Sequence, residues 1–189
     1  MKILLVILAG LLILLVGLYV YLGGLRKVNA SVRYEGGDLL VYVDIKGDYK
    51  QSATVMDKVY YALLNDYQIE TTKGFGIYYD DPQTTAKEEL RSEAGCILEE
   101  EHSEHYDDIS NRFKMTSFPE DRYILAEFPY KTKASVMMSV FKVYPALNKY
   151  AKLKGWCIDT PVMEIYDLPN HKILYRKEIR KLNKKGNDH

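Results

Sequence analysis

The chain has 189 residues, and its 26 basic residues balance 26 acidic ones. That neutrality excludes a nucleic-acid binder working by bulk charge, which needs a phosphate-neutralising excess. With only Cys96 and Cys157, a disulfide scaffold is excluded too, while 47 % hydrophobic and 28 % charged residues describe a globular chain with 17 tyrosines as its oddity.

From Ile3 to Leu25 no charged residue occurs. As a helix this run would be ~35 Å long, enough to span a bilayer with some tilt. Tyr19 and Tyr21 fall near its end, where aromatic side chains favour the membrane interface. A cleaved signal peptide normally has an apolar core of only ~7–15 residues and a small-residue cleavage site. Residues 1–27 are therefore read as a single-pass anchor. Arg26, Lys27 and Arg33 outweigh Lys2, which places the following domain on the cytoplasmic side. Two cysteines without an evident partner suit a reducing compartment.

Gly36-Gly37 separates the runs Asn29–Tyr34 and Leu39–Lys46, which predicts a hairpin. A helix is expected from Gln51 to Tyr67, with Val55, Val59, Leu63 and Tyr67 as its apolar stripe. Strands follow at Gly74–Tyr79 and Arg91–Glu99, and the acidic stretch Glu99–Asn111 reads as a solvated connection. Tyr123–Phe128 is a strand, and Ala134 to about Lys154 is helical, with Val136, Val140, Phe141, Leu147 and Tyr150 on its apolar side. Pro145 is expected to kink that helix or to begin a second piece. Val162–Tyr166 and Lys172–Ile179 are the last two strands, joined by a turn at Asp167-Leu168-Pro169-Asn170. Strand–helix–strand–strand thus occurs twice. The pattern predicts an α+β fold, an antiparallel sheet with both helices packed on one face.

Alternation within each strand then suggests what the other face carries. If Val41, Val43, Ile45, Ile77, Ala126, Phe128, Met163 and Ile165 face the helices, the far side holds Tyr42, Tyr78, Tyr123, Glu127, Glu164 and Tyr166. Tyrosines around a carboxylate suit an amphipathic or cationic organic ligand, because rings attract a cation and the carboxylate supplies its countercharge. A solvated sheet face, where Tyr and Glu are both common, explains the same pattern.

The segments Ile77–Leu98 (IYYDDPQTTAKEELRSEAGCIL) and Pro161–Pro169 (PVMEIYDLP) resemble the GyrI-like small-molecule-binding family. With FPYKT (128–132), VYPALNKY (143–150) and the anchor, the sequence is similar to the membrane-anchored branch of that family. The resemblance, over about Leu39 to Glu178, implies two half-repeats with a ligand cleft between them; the domain is read as residues 28–180, with a basic tail at 181–189. It implies a cleft-facing glutamate at Glu164, with Tyr49 and Tyr130 on the rims. The family's transcription-regulator arrangement, with a helix-turn-helix domain ahead, is not expected here.

The ligand-binding set is accordingly Glu164, Tyr42, Tyr49, Tyr78, Glu127, Tyr130 and Tyr166. The partner is a small organic molecule, amphipathic or cationic, with the membrane held through residues 3–25. No catalytic residue, metal or other cofactor and no nucleic acid is expected. A protein-interaction or receptor module, or a hydrolase in which Glu164 activates water, remain alternatives for the same cleft. His102 and His105 lack the further ligands that a metal site needs. Asp80, Asp81 and Arg91 are read as fixing a turn.

Overall fold

A computed structural model describes residues 1–98 and 104–182 of the chain. His102 and nearly all of the expected basic tail lie outside these residues. The apolar run forms helix α1 (Lys2–Tyr21), none of whose side chains is buried. By length and composition it is a helix that could cross a membrane. Beyond it come β1 (Ser31–Glu35), β2 (Leu39–Lys46), α2 (Gln51–Tyr67), β3 (Lys73–Tyr78), β4 (Arg91–Leu98), α3 (Tyr106–Arg112), β5 (Lys114–Ser117), β6 (Asp121–Pro129), α4 (Lys133–Leu153), β7 (Val162–Asp167) and β8 (Lys172–Glu178).

The eight strands make one sheet in the order β1-β6-β8-β7-β3-β4-β2-β5, antiparallel throughout. The succession β2-α2-β3-β4 and the succession β6-α4-β7-β8 place their strands in the same relative order. They meet at the central pair β3–β7.

The expected hairpin at Gly36-Gly37 does not form: β1 pairs with β6, at the opposite end of the sheet from β2. In a flat sheet β1 and β2 would stand ~29 Å apart, six strand spacings. The residues between them, Gly36, Gly37 and Asp38, span at most ~15 Å when fully extended. Phe118–Glu120 makes an equally short link from β5 to β6, across the same gap. The sheet must therefore curl until its ends approach. The two links hydrogen-bond to each other there, from Gly37 N to the Phe118 carbonyl and from Phe118 N to the Asp38 carbonyl, both at 2.8 Å. Gly36 (φ +130°) could carry no side chain at this crossing, since a Cβ would lie 2.2 Å from the Pro119 carbonyl oxygen.

The inner face of the curl is a core of its own, with Leu40, Phe75, Ile77, Ile97, Met163 and Ile165 buried. Arg176 stands on this face, buried, and pairs with Glu35 at 3.1 Å and with Asp38. Ile77, Met163 and Ile165 were expected to face the helices but lie here with Phe75. Their true position reverses the parity of β3 and β7. The sheet curvature buries both faces of these central strands, so apolar character could not show which face the helices cover.

Both long helices pack on the outer face. α2 lays Val59, Ala62 and Leu63 over Val41, Cys96 and Leu98. α4 lays Val143, Leu147 and Ala151 over Ile124, Ala126, Phe128 and Ile173. A capping box opens α4: Ser135 N donates to Thr132 Oγ1, and Thr132 N to Ser135 Oγ. Its buried residues are Ser135, Ser139, Val143, Leu147 and Ala151, whereas the expected core residues Val140 and Phe141 are exposed. Pro145 sits inside one continuous helix and starts no second piece.

Two further elements were not expected. Part of the acidic stretch is the helix α3, which sinks Ile109 into the α2 side of the core, and β5 extends the sheet beside β2.

Candidate functional site

Cross-strand partners in an antiparallel pair project to the same face, so the register sorts the candidate residues directly. Gly74, Gly76 and Tyr78 on β3 face Tyr166, Glu164 and Val162 on β7. Across β7, Glu164 opposes Tyr175 and Val162 opposes Lys177. Gly74 opposes Cys96, which packs beneath α2, and Tyr175 opposes Ala126, which packs beneath α4. Glu164, Tyr78 and Tyr166 therefore lie on the helix-bearing outer face. They occupy the middle of the sheet, between the strands that α2 and α4 cover.

Tyr42 and Glu127 do not join them. Tyr42 lies on the inner face, its ring edge-on to Phe75 at 6.4 Å. Glu127 is exposed between two cations, Arg33 and Lys172, each at 3.5 Å. Tyr123 belongs to the inner face too, and donates to the Pro119 carbonyl oxygen at 2.8 Å. The more apolar side of each strand is not always the helix side, so alternation within strands merges two surfaces that the backbone separates.

At the centre of the outer face Glu164 is only 3 % exposed. Tyr144, reaching down from α4, donates to its Oε1 at 2.8 Å, and Tyr166 donates to its Oε2 at 2.8 Å. No Lys, Arg or His pairs with this carboxylate among the described residues. Burial raises its pKa, and the hydrogen bonds from Tyr166 and then Tyr144 oppose that rise. The tyrosines respond in turn. Tyr78, Tyr144, Tyr166 and Tyr175 are all pushed above the usual phenol value, first by burial and then by the Glu164 charge. They stay protonated at neutral pH, and so remain available as donors.

Aromatic contacts extend the cluster. Tyr175 stands edge-on to Tyr144 at 6.0 Å and shares a hydrogen bond with Ser139 Oγ at 2.5 Å. Tyr130, at the exit of β6, stands edge-on to Tyr166 at 6.1 Å. Tyr49 stands edge-on to Tyr78 at 4.8 Å. Its hydroxyl also fixes the turn after β3, donating to the Asp80 carbonyl at 2.8 Å and accepting from Asp80 N at 3.0 Å. The same turn is clamped by Arg91, whose Nη2 and Nε meet the two Asp80 carboxylate oxygens at 2.7 and 3.1 Å.

Gly76 is part of this geometry. A Cβ there would come within 2.8 Å of the Tyr78 hydroxyl. The missing side chain gives the Tyr78 ring room to lie over the strand beside Glu164. Two surface depressions, of about 530 and 200 Å3, run along α4 through Lys149 and Leu153 and do not include Glu164.

Tyr144, Tyr175 and Ser139 were missed in the sequence. Tyr175 was hidden by being ordinary strand composition. Tyr144 directly follows Val143, in the buried i, i+4 series of α4, and that adjacency was the available signal. No group of His, Cys, Asp and Glu side chains able to hold a metal ion occurs among the described residues. Cys96 is a buried free thiol, and burial pushes its pKa up to about 11.

A curled antiparallel sheet with two long helices on its outer face, and on that face a buried carboxylate held by tyrosines, defines an α+β domain. Its sequence identifies the class more closely. The model of the GyrI-like small molecule binding domain matches residues 40–177, and the chain belongs to that family. It is 33 % identical over 100 residues to the testis-expressed protein 264 homolog of Mus musculus, and 34 % over 100 residues to testis-expressed protein 264 of Homo sapiens. Each match takes in 50 % of this chain but only 32 % of the relative. Among solved structures the fold resembles SAV2435 bound to tetraphenylphosphonium, with TM-score 0.55 and 12 % identity over 85 % of this chain and 99 % of that one. It also resembles the EcmrR C-terminal domain, with TM-score 0.56 and 8 % identity over 82 % of this chain and 99 % of that one.

Proposed function

We propose that the domain binds a small amphipathic organic cation between α2 and α4, with Glu164 as countercharge, and that α1 anchors it in a membrane. The observation that carries this reading is a buried carboxylate whose only partners among the described residues are two tyrosine hydroxyls. Leaving a carboxylate inside a protein without a cation is costly unless hydrogen bonds or a ligand compensate. Tyr144 and Tyr166 compensate by donating. A cation arriving among the rings of Tyr78, Tyr130, Tyr144 and Tyr166 would add charge pairing and cation–π attraction in a site of low dielectric. Membership of a small-molecule-binding family supports the reading, as does a fold neighbour that holds a lipophilic cation.

In this reading Tyr144 closes the site. Its hydroxyl occupies one carboxylate oxygen, so a ligand reaches Glu164 by displacing it. Arg26, Lys27 and Arg33 follow the anchor and favour a cytoplasmic domain.

The test is calorimetric titration of the full chain in nanodiscs with tetraphenylphosphonium, with the heat of empty nanodiscs subtracted. Glu164→Gln should weaken binding at least about tenfold, the equivalent of ~1.4 kcal/mol. Equal affinity of the parent and Glu164→Gln for the cation would remove Glu164 from the site.

A further inference from the structure

The geometry points to a second membrane contact: the outer side of α4 rests on an anionic bilayer surface, with Met137 and Phe141 in the headgroup–acyl boundary and lysines on the phosphates. This inference rests on the reading of α1 as a membrane anchor.

Three observations carry it. The first is charge. In a chain of zero net charge, residues 128–158 contain six lysines (131, 133, 142, 149, 152 and 154) and no Asp, Glu, Arg or His. None of the six has an acidic partner among the described residues. Helices of ordinary solvated surfaces mix both signs, whereas an unmixed basic helix with apolar side chains suits a membrane surface.

The second is exposure of large apolar groups on that same helix. Phe141 is 71 % exposed and Met137 60 %, one turn apart, while the opposite side of α4 is buried. The third is place. Lys131 Nζ donates to the Tyr21 carbonyl at 2.9 Å, and its ammonium lies 4.4 Å from the centre of the Tyr21 ring. Lys142 Nζ donates to the Gly24 carbonyl at 2.6 Å. Gly23 lies against the Phe128 ring, which a Cβ would meet at 2.8 Å.

The first three turns of α4 are thus tied at both ends to the residues where the span finishes. A helix pinned in this way lies level with the membrane surface instead of standing away from it. Met137 and Phe141 are within ~15 Å of that point by helix rise. Several lysines near an anionic surface together attract it by more than thermal energy.

The test uses the full chain in nanodiscs, in a Cys157→Ser background since Cys96 is buried. An environment-sensitive fluorophore is attached at Met137→Cys, at Phe141→Cys or, as a control on α2, at Tyr61→Cys. In discs with about 30 % phosphatidylserine, iodide quenching should be roughly threefold weaker at 137 and 141 than at 61, because the boundary shields the label. In neutral discs, or in the Lys133→Glu/Lys149→Glu/Lys152→Glu variant, that shielding should fall away. Quenching at 137 and 141 equal to that at 61, in a chain shown to resist carbonate extraction, would overturn the contact while leaving the anchor in place. Equal shielding in neutral and anionic discs would overturn the role of the lysines. A chain that carbonate releases from membranes would overturn the anchor, and this inference with it.

Discussion

Tyr144 of α4 and Glu164 of β7 are joined by a 2.8 Å hydrogen bond from phenol to carboxylate, and Tyr166 satisfies the other carboxylate oxygen at the same distance. The bond ties the helix to a strand of the sheet centre, over a buried carboxylate that no Lys, Arg or His pairs with among the described residues. Removing either hydroxyl leaves a buried acceptor short of a partner, which costs about 1–3 kcal/mol. Tyr144→Phe and Tyr166→Phe should each lower stability by that order in chemical denaturation. The double variant should depart from the sum of the two, because both donors act on one carboxylate.

The raised Glu164 pKa makes stability depend on pH, with a definite sign. Between the ordinary carboxyl value and the higher folded value, the folded state holds more protons than the unfolded state. The contribution is complete below the unfolded pKa and is lost as pH rises through the folded one. Relative to the parent, Glu164→Gln should therefore gain melting temperature at pH 7 and lose that advantage near pH 4. A parallel pair of melting-temperature profiles across this range would show that the carboxyl is not destabilised by burial.

Lys177 has the opposite linkage. Its side chain is buried, with Nζ donating to the carbonyls of Ile158 at 2.6 Å and Thr160 at 3.1 Å, and burial pushes its pKa down to about 8. Above that value the folded state sheds a proton that the unfolded chain keeps until about 10.5, so stability rises with pH across this interval. Lys177→Met should flatten the rise. The tyrosines oppose it only above pH ~10, where unfolded phenols ionise and the buried ones do not. Denaturation midpoints at pH 7.5, 8.5 and 9.5 in both proteins provide the comparison.

Arg176 holds the curled sheet at the point where its ends approach, since Glu35 ends β1 and Asp38 closes the link from β1 to β2. Phe118 of the other link lies 5.9 Å from the guanidinium, ring centre to carbon. Arg176→Ala leaves two partly buried carboxylates without their cation, and breaking such a pair costs about 3–5 kcal/mol. Arg176→Met keeps most of the volume and should lose less than Arg176→Ala. If urea midpoints of both variants matched the parent, the closure would not depend on this residue.

Some of these features were legible beforehand. Period-four spacing located α2, and the alternation in Leu39–Lys46 located β2. The segments Ile77–Leu98 and Pro161–Pro169 carried the resemblance to the family whose model matches residues 40–177. The hairpin at Gly36-Gly37 was misread because two glycines between strands fit any abrupt change of direction. Here they accompany a crossing between the two ends of a sheet, and local turn preference does not distinguish these cases. Ile109 and Tyr106 in the acidic stretch were too few to register as helix periodicity, yet packing onto α2 makes them part of the core.

Sequence by itself determined the apolar first helix and the α+β succession of elements, which reside in local pattern, and offered Glu164 as a candidate. Tertiary structure decided which tyrosines accompany that glutamate. Curling the sheet buries both faces of β3 and β7, so hydrophobicity no longer reports which side a residue takes. Only strand register does, and register is a relation between segments distant in the chain. It sends Tyr42 inward and leaves Glu127 at the surface, and it sets Tyr78, Tyr166 and Tyr175 on the face where Tyr144 descends to Glu164.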